Sequence, residues 1–127
     1  LWDQIKIDYP DRFYDFGSSE QLMIGAAVGM CMEQKIPICY SITPFLLYRP
    51  FEFIRNYIDH EKMPVKLIGG GRDKDYGNLG FSHWAEDDLK ILKNFKNIKR
   101  FKPDSLDKKT FDNFLNMPEP AYLNLSK

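Results

Sequence analysis

Residues that bind metals or form disulfides are scarce in this sequence, which holds two cysteines and two histidines among 127 residues. Cys31 and Cys39 lie among apolar neighbours at no metal-ligand spacing, so free thiols in a cytosolic protein are the expectation. Neither sign of charge is in surplus, because 18 Lys and Arg balance 18 Asp and Glu. That balance removes the basic footprint of a nucleic-acid or anionic-membrane binder. Zero net charge also weakens repulsion between copies and favours life in an assembly. No run approaches the ~20 apolar residues of a membrane span, and no basic-then-apolar leader opens the sequence. Leu1 stands where an initiator methionine would, which points to a longer product. The Gly-x-x-x-x-Gly-Lys-Ser/Thr order of a P-loop and the Gly-x-Ser-x-Gly elbow of a hydrolase are both missing.

Apolar mass is abundant. Hydrophobic residues make up 43% of the chain and aromatics 15%, enough for the core of one domain spanning 1–127. Residues 1–15 are aromatic and charged, with Pro10 as a breaker. From Ser18 to about Glu33 no polar stripe interrupts Leu22, Met23, Ile24, Val28, Met30 and Met32, which predicts a helix buried on all sides. Gly25 and Gly29 would let a second backbone approach it, and Ser18 with Gln21 fits a capping box. Ile36–Ile42 reads as a buried strand ended by Pro44. Pro50 suits the first turn of a helix running to about His60. Val65–Ile68 reads as a strand entering a glycine-rich loop, Gly69–Phe81. Ser82 caps a further helix ending near Asn94. A strand at Ile98–Phe101, a helix at Asp107–Leu115 and a strand at Ala121–Leu125 complete the chain. Strands alternating with helices imply an α/β fold, a three-layer α/β/α sandwich around a mainly parallel sheet.

Glu20 is the carboxylate that invites a chemical reading. It falls in the first turn of an apolar helix, where the helix dipole lowers its pKa and partial desolvation raises it. It serves either as a complement to the helix N-terminus or as an acid poised to share a proton with a ligand nitrogen. Ile42, Phe45 and Tyr48 recur at intervals of three with Arg49 adjoining, forming either a hydrophobic plug or a stacking wall for a flat heteroaromatic ring. His83 closes the glycine loop as a cap, a surface residue or a catalyst. His60, beside Asp59, reads as a solvated complement to a helix end. Met23, Met30 and Met32 read as core.

Tyr9-Pro10-Asp11-Arg12-Phe13 leading to Gly17-Ser18-Ser19-Glu20-Gln21 resembles the transketolase signature, a Pro-x-Arg-Phe segment followed by Gly-x-x-Glu-Gln. Arg49-Pro50-Phe51-Glu52-Phe53-Ile54-Arg55, Gly80-Phe81-Ser82-His83 and Ala121–Leu125 follow in the family's order. The resemblance runs over about residues 9–126. It implies the pyrimidine-binding domain of a thiamin-diphosphate enzyme. It further implies that Glu20 bonds the aminopyrimidine ring nitrogen. Sharing that proton makes the ring's amino group basic enough to take the thiazolium C2 proton. Phe45 matches the aromatic that stacks on the ring, Tyr48 a second wall, and His83 a histidine facing substrate oxygens. Ile42 stands where the family often has another aromatic.

The departures imply as much. The sequence has no Gly-Asp-Gly with a distant Asn, so magnesium and diphosphate would be held by a partner domain or subunit and no metal by this chain. The family's first strand is missing or reduced. The expectation is half of a cytoplasmic, oligomeric, split transketolase-like enzyme that transfers a ketol unit between sugar phosphates or related compounds. Two alternatives stand beside it. One is a degenerate scaffold kept for assembly, and the other is a domain like the beta subunit of a 2-oxo-acid dehydrogenase.

Overall fold

The computed structural model describes residues 2–127. Strands β1 (Ile38–Ile42), β2 (Lys66–Gly70), β3 (Lys99–Phe101) and β4 (Ala121–Leu125) form one sheet in the order β1-β2-β4-β3. Every pairing is parallel, with Ile38 opposite Lys66 and Lys66 opposite Ala121. Side chains on a strand alternate between faces, and two cores result. Cys39, Leu67 and Tyr122 point to one face, where they meet Ile24 and Ala27 of helix α2 (Glu20–Met32). Leu46 and Leu47 of α3 (Thr43–Tyr48) join them, as does Leu92 of α5 (Asp88–Leu92). Ile68, Ala121 and Leu123 point to the other face, against Phe114 of α6 (Lys108–Asn116). The three-layer α/β/α reading of the sequence therefore stands.

Several boundaries differ from expectation. Helix α1 (Trp2–Asp8) buries no residue, and its Trp2 ring leans on Tyr40 of the edge strand at 4.5 Å between centroids. No strand precedes α2 among the described residues. Helix α2 starts at Glu20, and Ser19 at its N-cap makes no side-chain cap, so the Ser18 capping box does not form. The chain arrives there through Gly17 at φ 57°, whose N–H donates to Asp15 Oδ1 at 2.8 Å. This turn leaves Ser18 facing Arg49 instead of the helix. Although α2 lacks a polar stripe, it is covered on one side only. Ile24, Ala27 and Val28 are buried, while Leu22 and Met32 are 61% and 67% exposed.

Pro44 ends β1 by opening α3, a helix the sequence did not announce, because a proline ring is tolerated in a first turn. After Pro50, α4 (Phe51–Phe53) widens into a π-type turn over Ile54–His60. The helix expected from Ser82 is delayed to Asp88. Ala85 N–H donates to Asp73 O at 2.7 Å in a local antiparallel bridge, which draws Trp84 and Ala85 out of helical conformation. Only a short 3-10 turn, Phe81–His83, forms before it.

Lys66 is wholly buried in β2. Its Nζ donates to the carbonyl oxygens of Met117 and Glu119 at 2.7 and 2.6 Å, tying the end of α6 to the sheet. Burial pushes its pKa down, against the opposing pull of Glu119.

Candidate functional site

The carboxyl ends of strands in an open α/β sheet form a rim where ligands commonly bind. Here that rim gathers the N-terminus of α2, the end of β1 and helix α3. Glu20 is 5% exposed. Ser41, one residue before the end of β1, donates its hydroxyl to Glu20 Oε1 at 2.8 Å. Arg49, just past α3, donates Nη1 to Glu20 Oε2 at 2.5 Å. Burial pushes the carboxyl up, but the hydrogen bonds of Arg49 and Ser41, together with the guanidinium charge, outweigh it and hold Glu20 below its ordinary value.

Phe45 lies beside this pair. The Arg49 guanidinium carbon sits 4.0 Å above its ring centroid. His83 meets the same ring edge-on at 4.9 Å and 73°. Ser82 Oγ lies 3.0 Å from His83 Nδ1. The structure thus brings Glu20, Phe45 and His83 together, with Arg49 bridging the first two. Tyr48, half-exposed, points its hydroxyl elsewhere and donates to Asp87 Oδ2 at 2.6 Å. That bond ties α3 to the start of α5, and with burial it pushes the phenol pKa up. The solvated reading of His60 fits its position beside Glu61, 3.6 Å away.

Beneath the rim lies a buried polar network that the sequence did not reveal. Thr43 donates to the carbonyls of Gly70 and Gly71, and Asn124 donates to Thr43 Oγ1, Gly71 O and Tyr122 Oη. Tyr122 donates its hydroxyl to Asp88 Oδ2 at 3.0 Å, and Lys102 Nζ caps Asp88 Oδ1 at 3.3 Å. The three glycines serve this network. A Cβ on Gly69 would come within 2.5 Å of Thr43 Oγ1 and 2.9 Å of Tyr122 Oη. Gly71 has φ +85°, a conformation that favours glycine. The network anchors the root of the loop that carries His83.

Ser41 and Arg49 were the partners of Glu20 that sequence reasoning left unassigned. Ser41 had a signal, because it lies two residues from buried Cys39 and so shares its face of the sheet. A groove of about 760 Å³ lies at the opposite end of α2, lined by Met32, Arg55, Tyr57, His60 and Asn97, away from Glu20. Among the described residues no three His, Cys, Asp or Glu side chains converge to hold a metal ion. No helix among them is long and apolar enough to cross a membrane.

Comparison with known proteins matches this arrangement to one family. The family model described as the pyrimidine binding domain of transketolase covers residues 2–109. One of the two subunits of an apulose-4-phosphate transketolase from Actinobacillus succinogenes is 30% identical over 120 residues, 93% of this chain and 39% of that protein. A 6-deoxy-6-sulfo-D-fructose transketolase subunit from a Clostridium species is 28% identical over 118 residues, 91% of this chain and 37% of its own. A split-gene transketolase solved as an inactive beta4 tetramer superposes with a TM-score of 0.79 at 28% identity, covering 96% of this chain and 39% of that one. The chain therefore spans about two fifths of the length of these relatives. With the family model matching most of its length and the fold in agreement, the chain belongs to the transketolase pyrimidine-binding domain family.

Proposed function

We propose that this chain is the pyrimidine-side half of a split, thiamin-diphosphate-dependent transketolase-like enzyme that moves a ketol unit between sugar phosphates or related compounds. One observation carries the reading. A buried glutamate carboxylate opens beside an aromatic face at the strand ends, with a histidine edge-on to that same face. The names of the relatives, subunits of transketolases, support it.

The residues suit the cofactor. A flat, nitrogen-bearing ring needs an acid at its edge and an aromatic plane against it, and Glu20 and Phe45 present both. When bound, thiamin diphosphate supplies the carbanion chemistry of ketol transfer. Glu20 holds the ring nitrogen and shares its proton, with Ser41 keeping the carboxylate in register. Phe45 fixes the plane of the ring, and Tyr48 stands at the rim. His83 offers a hydrogen bond to the oxygens of the substrate. Magnesium and the diphosphate fall to a partner subunit, in an oligomer of the cytoplasm to which this chain contributes one domain.

The test mixes the chain with a diphosphate-domain subunit, thiamin diphosphate and magnesium. Ketol transfer is expected in the mixture and not from the chain alone. Glu20→Gln lowers the rate by about 100-fold or more, in line with loss of a positioned acid. Equal turnover without Glu20 overturns the assignment. A mixture that never binds the cofactor favours an assembly scaffold instead.

A further inference from the structure

If a flat ring stacks on Phe45 and bonds Glu20, that place is already filled. The Arg49 guanidinium is planar, carries N–H donors along its edge, and lies 4.0 Å over the Phe45 ring. The same group donates to Glu20 Oε2, while Ser41 holds Oε1. A guanidinium stacks on aromatic faces and forks onto carboxylates in the manner of an aminopyrimidine edge. One ring face and one carboxylate oxygen cannot serve both groups. Arg49 is also free to leave. Its side chain is 42% exposed, and its remaining hydrogen bond, to Ser18 O, is 3.4 Å long.

We infer that Arg49 is a resident placeholder for the heterocycle, turned inward over Phe45 and displaced outward when an aminopyrimidine enters between Phe45 and Glu20. This rests on the ring-binding reading of the site. It adds a specificity role to a residue outside the expected ring-contacting set. While Arg49 is in place, the site is screened against cations and rings too weak to evict it. Buried Glu20 is meanwhile kept paired, which avoids leaving a desolvated charge alone. The cost is a lower apparent affinity, reduced by the fraction of molecules with Arg49 outside.

The test compares the full chain, Arg49→Ala and Arg49→Lys, titrated with a free aminopyrimidine and followed by the NMR shifts of the Phe45 ring and the Glu20 carboxylate. Arg49→Ala should bind the ring on the order of tenfold more tightly than wild type. Methylguanidinium should compete for the vacated place in that variant. Arg49→Lys keeps the charge without the plane and should fall between the two. Equal or weaker binding by Arg49→Ala, with the Phe45 and Glu20 signals still moving, overturns the placeholder and leaves the ring site standing. If those signals do not move in Arg49→Ala, the ring-binding reading fails, and the placeholder fails with it.

Discussion

Gly69→Ala is the sharpest probe of how the site is supported. The added methyl would sit 2.5 Å from Thr43 Oγ1, 2.9 Å from Tyr122 Oη and 3.1 Å from the Tyr122 ring. Both side chains are buried and held by hydrogen bonds, so neither can step aside cheaply. Overpacking of this kind costs about 1–3 kcal/mol, and a broken network bond adds about 1 kcal/mol. The sum, roughly 2–4 kcal/mol, is a large part of the 5–15 kcal/mol that stabilises a domain of this size. It should lower the melting temperature by about 8–15 °C, followed by circular dichroism on the full chain. Two neighbours provide the comparison. Gly70→Ala meets the far end of Tyr40, a side chain 38% exposed and able to swing, and should cost less than about 1 kcal/mol. Gly77→Ala meets no atom within 4 Å and should be neutral to within about 0.5 kcal/mol. A Gly69→Ala protein that melts within about 2 °C of wild type, or a Gly70→Ala protein less stable than it, would refute the reasoning.

The same network predicts that Tyr122→Phe, which strips a buried hydroxyl from Asn124 and Asp88, costs about 1–3 kcal/mol in urea unfolding. Tyr48→Phe, at a half-exposed bond to Asp87, should cost under about 1 kcal/mol in the same assay. Acid stability should depend on Arg49. Because folding lowers the Glu20 pKa, the unfolded chain binds more protons. The contribution is therefore complete above the ordinary value of 4.5 and is lost as pH falls through the depressed folded value. Arg49→Ala removes the main opposing pull, so its acid-unfolding midpoint should move to higher pH. Cys39 is buried with its thiol pushed up to about 12, and burial raises Cys31 as well. Iodoacetamide should label Cys31 slowly and Cys39 only on unfolding, as read by mass spectrometry.

The layers of the fold were legible because alternation and apolar runs mark them, and β4 at Ala121–Leu125 was read to the residue. The helix at Asp107–Leu115 was also legible, since Asp107 accepts from Thr110 N–H as a cap should. Helix α5 was misplaced because a long-range bridge between Asp73 and Ala85 overrode the local capping signal at Ser82. The exposure of Leu22 and Met32 was hidden for a different reason. Periodicity records how apolar a helix face is, not whether something in this chain covers it. In the site, Glu20, Phe45 and His83 were named from the sequence, and the structure clusters them. Arg49 was not recognised as the partner of Glu20, because a contact across 29 residues leaves no local pattern.

The inward-turned lysine of β2 has a use of its own. Once the sheet has closed, no acyl donor in solvent can reach the amine at position 66, and only a chain that has opened offers it. Brief acetylation followed by peptide mapping would therefore record at that one position how often the whole sheet comes apart, beside surface lysines that react regardless. A chain acylated there before it folded would lack the clamp that fastens α6 to the strands.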